Sequence, residues 1–250
     1  MFREKNLGPT SFFVFQELEE IPGFVHAFTS RRTDTSNKSA NPSGEPALEK
    51  GHFLQAMGLR LNELVFLDQV HSSRVVTVKR RPSECSGSIS MGPADGVITV
   101  RPAQFPVIQT ADCLPIVVLL AEKKQVCVLH TGWRGTRDQI TTKGVVQFLQ
   151  ETQASPSQLI AALGPCIQKC CFQVGPEVRN QYAEAGHDVD RCFSGSQLDL
   201  VEANSAQLQA LGVTQILDSK MCTACRTDLF YSYRKEGETG RMWLLAGFQP

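Results

Sequence analysis

The chain has 250 residues, 42% of them hydrophobic and 20% charged, and its twenty-five basic residues balance twenty-five acidic ones. That is enough chain for one substantial core. With no net charge, no global field draws it onto nucleic acid or a membrane surface. The opening MFREKNLGPTSFFVFQELEE breaks its apolar residues with charges and a proline, so no secretory leader is expected. No run reaches the ~18 apolar residues of a membrane-spanning helix. Nine cysteines without an export signal read as reduced thiols, and the protein is expected to be cytoplasmic.

Apolar and β-branched runs of strand length occur at Gly23–Thr29, Val65–Val70, Arg74–Val78, Gly96–Val100, Leu114–Leu120, Gln125–Leu129 and Trp243–Phe248. Between them, the polar stretches Arg31–Pro46 and Arg81–Pro93 read as loops, and Ala47–Gly58 as a short amphipathic helix. Helices are expected over Asp138–Glu151, Pro176–Ala185 and Val201–Leu211. Strands dominate first and helices mix in later, which indicates an α+β or layered α/β domain rather than regular βαβ alternation. Neither loop separates segments of different composition, so residues 1–250 are read as a single domain. No GxGxxG follows the first strand and no GxxxxGK[ST] occurs, which leaves a dinucleotide fold or a P-loop without support.

The stretch QVCVLHTGWRGT (Gln125–Thr136) ends an apolar run on His130 and turns through two glycines that flank Trp133 and Arg134. A histidine at a strand mouth beside an arginine suggests a site. If Leu114–Leu120 and Gln125–Leu129 form a hairpin turning near Glu122, paired residue numbers sum to about 244. Cys113 then lies beside His130 at the open end. A thiol and an imidazole serve either a cysteine nucleophile or a zinc site, and His71, also at a strand end, is the candidate third ligand. The plainer reading makes both histidines structural and Cys113 a small buried thiol. Arg134 could hold an anion or simply stack on Trp133. Arg31 and Arg234 are further cations, and Asp112 and Asp95 are candidate acid/base carboxylates. His26 and Cys127 read as core, and His52 and His187 as solvated. Cys166 and Cys170 with Cys222 and Cys225 could form a separate structural zinc site. Five histidines in all are too few for a four-copper oxidase, and no motif supplies the weak axial ligand of a blue-copper site.

The segments HAFTSR, QVHSSRV, ADGVIT, TADCLPI, LHTGWRGT, LGPCIQKCCFQVGPEV and CTACRTDLFYSYRKEGETGR occur in that order. They resemble the motifs of the laccase-domain family, also called YfiH-like or polyphenol-oxidase-like. The resemblance implies a single layered α/β/β/α sandwich of cysteine-hydrolase-like fold. It implies one zinc ion on His71, Cys113 and His130, and phosphorolysis of adenosine, inosine, guanosine and methylthioadenosine with adenosine deamination at the same site. The partners implied are purine nucleosides and inorganic phosphate, on a chain expected to be monomeric. The substrate contacts expected are Arg134, Arg31 and Asp112. One family member is linked to peptidoglycan precursor editing, and a cysteine hydrolase or amidase built on Cys113 and His130 is the other alternative. The chain departs from the family at Arg32–Thr35, where a glycine-rich segment is usual, and the nucleobase-deaminase signature H-x-E…PCxxC is absent.

Overall fold

The computed structural model describes residues 1–7, 10–33, 52–79 and 87–250. Most of the two polar stretches, the first half of the helix expected over Ala47–Gly58 and the side chain of His52 lie outside the described residues. In chain order the strands are β1 (Phe2–Leu7), β2 (Thr10–Phe15), β3 (Phe24–Thr29), β4 (Leu64–Asp68), β5 (Val75–Val78), β6 (Ile89–Pro93), β7 (Gly96–Thr99) and β8 (Phe105–Thr110). They continue as β9 (Leu114–Leu120), β10 (Gln125–Thr131), β11 (Ile160–Leu163), β12 (Phe193–Ser194), β13 (Gln197–Leu198), β14 (Gln215–Asp218) and β15 (Met242–Phe248).

Two mixed sheets hold the fold. One runs β1-β2-β3-β15-β8-β4-β6 and the other β14-β11-β9-β10-β7-β5. The side-chain period of two sorts each strand between layers. In β9 and β10, Val117, Leu119, Val126 and Val128 face the first sheet, with Phe28, Ile108 and Leu244 opposite. Their neighbours Ile116, Val118, Leu120, Cys127 and Leu129 pack under Val145, Phe148, Tyr182 and Leu208 of the helices Ile140–Thr152, Pro176–Glu184 and Leu200–Ala210. The outer face of the first sheet, Phe12, Val14, Phe105 and Trp243, lies under Phe53 and Leu54 of the helix His52–Met57. All seven residues of β9 are buried, which is why LPIVVLL shows no polar alternation.

The structure differs from the expected elements at identifiable points. The helix expected from Asp138 starts at Ile140, because Gln139 takes a left-handed conformation (φ 58°) between it and a separate short helix, Trp133–Arg137. The expected turn through Gly132–Gly135 is therefore the start of that short helix. Ile89–Pro93, read as loop, pairs with β4. The hairpin β9–β10 closes through Ala121–Lys123 with Lys124 left-handed (φ 53°). This sets the register at His130 opposite Pro115 and Thr131 opposite Leu114. Cys113 accordingly lies just past the end of the ladder, at the hairpin's open end, and its side chain still meets that of His130 there.

His26 is a core residue, as expected. It is 4% exposed, accepts the Phe15 N–H on Nε2 at 2.9 Å and stacks on Phe24. Burial pushes its pKa down to about 4. Between about pH 4 and 6.5 the unfolded chain holds a proton here that the folded chain refuses. Stability therefore falls as pH drops through that window. His26→Gln should lack this component. Urea titrations should show wild type losing about 2 kcal/mol more than the variant between pH 7.5 and 5; equal losses would contradict the assignment.

Candidate functional site

Three segments cross from one sheet to the other at a single seam. The crossing β4–β5 carries His71, β6–β7 carries Asp95 and β8–β9 carries Cys113. β4 runs parallel to β6 and β8, and β5 parallel to β7, so the three crossings leave on the same side. β10 is antiparallel to β7 and ends there, bringing in His130. Residues 17 to 59 positions apart in sequence thus meet because the chain changes sheet where they stand.

Asp95 organises the seam. Its side chain is fully buried. It accepts the N–H of Val70 (3.3 Å), His71 (3.0 Å) and Ser72 (2.6 Å), the Ser72 hydroxyl (2.8 Å) and the His130 ring through Nδ1 (2.8 Å). Burial alone would raise the Asp95 carboxyl; His130 and Ser72 outweigh it and hold the pKa below the usual value. His71 occupies the left-handed region (φ 59°), a costly conformation for a side-chain-bearing residue. Three converging N–H bonds to one carboxylate hold it there. With Nδ1 engaged by Asp95, His130 offers Nε2 to the seam.

One ligand atom from each of His71, Cys113 and His130 lies within 4.8 Å of the others. The two imidazole rings meet edge to face at 4.9 Å. Gly132 leaves the space between them: a Cβ there would stand 2.9 Å from Cys113 Sγ and 3.2 Å from His71 Cδ2. Gly135 serves a different purpose, since a Cβ would stand 2.9 Å from the Ser72 carbonyl oxygen. It lets the helix Trp133–Arg137 lie against the His71 loop. Burial would raise the Cys113 thiol, but His130 and then His71 bring it down to about 6. Burial would lower His130, but Cys113 and Asp95 raise it to about 9. A thiolate and two imidazoles, one with its outer nitrogen on a carboxylate, are a donor set that suits a borderline divalent metal.

The three residues line a cleft of about 970 Å³. Arg134 lines it and stacks over Trp133 at 4.4 Å. Arg234 and Arg241 line it too, and among the described residues no carboxylate pairs with any of these three arginines. Asp112 is held at φ 90° with both carboxylate oxygens engaged, by the Thr223 hydroxyl (2.6 Å) and the Arg234 N–H (2.7 Å). Arg31 is not among the lining residues; it donates to the Thr227 carbonyl and pairs with Glu236, both at 2.6 Å. Asp68 and Arg241, which the sequence reading did not single out, line the cleft. Asp68 ends an apolar strand and Arg241 follows a glycine, and neither position marks a site in sequence. His187, expected in solvent, stacks on Tyr182 and bonds the Arg137 carbonyl. The second cysteine set is Cys170, Cys171, Cys222 and Cys225; Cys171 replaces the expected Cys166.

The fold and the site define a class: a two-sheet α+β protein with a His–Cys–His centre at the seam of its sheets, under an arginine-lined cleft. Residues 31–249 match the family model described as multi-copper polyphenol oxidoreductase laccase, and the chain belongs to that family, the laccase-domain or YfiH family. A purine nucleoside phosphorylase of Haemophilus influenzae is 31% identical over 252 residues, covering 92% of this chain and 96% of its own. Adenosine deaminase RL5, from an unknown prokaryotic organism, is 32% identical over 192 residues, 72% and 73% of the two chains. The crystal structure of the Bacillus licheniformis hypothetical protein YfiH superimposes with a TM-score of 0.80 at 26% identity over 99% of each chain. YlmD from Geobacillus stearothermophilus gives 0.77 at 27% identity, covering 92% of this chain and 93% of its own.

Asp95→Asn keeps the volume and one acceptor but removes the charge that fixes His71 and His130. Metal affinity, measured by competition with a chromophoric chelator, should fall 10- to 100-fold with all three ligands retained. Unchanged affinity would show that Asp95 does not organise the centre.

Proposed function

We propose that the chain, acting as one domain over residues 1–250 and as a monomer, is a zinc-dependent purine nucleoside phosphorylase that also deaminates adenosine. The observation that carries this reading is the His71–Cys113–His130 set opening into a cleft lined by three arginines that have no carboxylate partner among the described residues. The names of the relatives, phosphorylase and deaminase, support it. Adenosine, inosine, guanosine and methylthioadenosine are the substrate class, with inorganic phosphate as the second substrate. The cysteine-hydrolase-like character of the fold belongs to the same reading. So does a cytoplasmic location, which the eight free thiols among the described residues suit. No helix among the described residues is long and apolar enough to cross a membrane.

In this reading His71, Cys113 and His130 hold the metal, which when bound polarises phosphate and lowers the pKa of water. Arg134 and Arg234 receive the phosphate dianion through charge-assisted hydrogen bonds. Arg234 is itself placed, because its backbone N–H is fixed on Asp112 and its guanidinium donates to the Gln173 carbonyl at 2.7 Å. Asp112 and Arg31 therefore act as positioning residues, the latter through Glu236 at the end of the helix Tyr233–Glu236. Exposed Tyr233 at the cleft offers a ring for a purine to stack on. In this reading Asp68, whose side chain lines the cleft, exchanges a proton with the leaving base.

A second reading has a specific observation behind it. Cys113 lowered to about 6 and His130 raised to about 9 form a thiolate–imidazolium pair, the resting state of a cysteine hydrolase. The two readings separate cleanly. Purified protein should release base and ribose-1-phosphate from adenosine or inosine, and adenine and 5-methylthioribose-1-phosphate from methylthioadenosine, only when phosphate is present, and should yield inosine from adenosine. Chelation should abolish both activities and zinc should restore them. Arg134→Ala should raise the KM for phosphate at least tenfold. Activity that survives complete metal removal but not thiol alkylation would favour the hydrolase. No base release from metal-replete protein would overturn the phosphorylase and turn attention to peptidoglycan precursors.

A further inference from the structure

Four cysteines outside the cleft converge on one point. β11 and β14 are parallel neighbours, paired from Ile160 with Gln215 to Leu163 with Asp218. The loops leaving their ends start side by side and stay zipped: the Cys166 N–H reaches the Met221 carbonyl at 3.2 Å, and the Thr223 N–H reaches the Cys166 carbonyl at 3.0 Å. One loop then presents Cys170 and Cys171, the other Cys222 and Cys225. The sulfur separations are 3.8 Å for Cys170–Cys171, 3.7 Å for Cys170–Cys225 and 3.4 Å for Cys171–Cys225, and all four sulfurs lie within 4.8 Å of one another.

Those separations are too long for a disulfide, which needs about 2.05 Å. They match a tetrahedron of thiolates: with metal–sulfur bonds of about 2.3 Å the sulfurs stand about 3.8 Å apart. The Gln168 backbone N–H already points at Cys222 Sγ, 3.4 Å away, in the manner of a donor to a ligating sulfur. We propose that Cys170, Cys171, Cys222 and Cys225 form a second, structural metal site that takes zinc or a similar soft divalent cation. Four protein sulfurs close the coordination shell and leave no position for substrate. Binding exchanges thiol protons for four metal–sulfur bonds, and the protons go to solvent.

The site staples two loops that build one wall of the cleft. Ile167 and Phe172 come from the first loop and line the cleft. Thr223, beside Cys222, bonds Asp112 next to Cys113, and Arg234 hangs on the same carboxylate. The staple reaches the His–Cys–His centre through Asp112, but it does not depend on what that centre catalyses.

Metal analysis after zinc loading tests the proposal independently of activity. Wild-type protein should carry two zinc ions per chain, Cys113→Ser one, and the double variant C170S/C225S one. Cobalt loaded into Cys113→Ser should give the intense thiolate-to-cobalt charge-transfer band of a tetrahedral all-sulfur site. Chelation of that variant should lower its Tm. The cobalt spectrum decides the matter even if the double variant does not fold. A Cys113→Ser protein that takes up neither zinc nor cobalt would overturn the proposal. So would recovery of these four cysteines as disulfides from zinc-loaded protein.

Discussion

The buried carboxylate of Asp95 is the interaction on which the candidate site depends. A charge removed from water is costly unless hydrogen-bonded, and this one accepts three backbone N–H groups, a hydroxyl and an imidazole. The same bonds that satisfy Asp95 force His71 into a left-handed conformation and fix which nitrogen His130 presents. One residue therefore sets the position of one candidate ligand and the tautomer of another.

The two-sheet architecture supplies what Asp95 cannot. A chain that changes sheet must expose a short irregular crossing, and three such crossings meet at one end of the sandwich. Strands on both sides of each crossing hold these side chains without help from long loops. Close approach is then a matter of removing side chains, at Gly132 between Cys113 and His71 and at Gly135 against Ser72. The arginines enter from the helices and the C-terminal loop, so cation placement and ligand placement are set by different parts of the chain.

How much of this the sequence disclosed follows from how local each feature is. His71, Cys113 and His130 stand in distinctive short motifs at strand ends, and the structure brings them together. The hairpin was foreseen with its register one residue off, because the link takes all four residues 121–124 and pairs Leu120 with Gln125. Pro106 masked β8, although it stands near the start of the strand, where a missing donor does least harm. The charges of β1 hid a strand because it lies at a sheet edge. Asp95 was visible as a candidate acid/base carboxylate but not as the hub of the seam, since its five donors come from segments 23 to 35 residues away. Arg31 and Asp112 were visible as charged residues but not as ones already engaged by Glu236, Thr223 and Arg234. The cysteine tetrad appeared with one wrong member because sequence spacing cannot choose between Cys166 and Cys171; the parallel pairing of β11 and β14 does.

The proposed metal would sit at the seam on His71, Cys113 and His130. Anomalous diffraction from zinc-loaded crystals, collected on both sides of the zinc edge, tests it most directly. The account predicts a peak about 2.3 Å from Cys113 Sγ and about 2.0–2.1 Å from a nitrogen of each histidine, with Asp95 still on His130 Nδ1. A map with no peak between these three residues, and with Cys113 in direct hydrogen bond to His130, would contradict it.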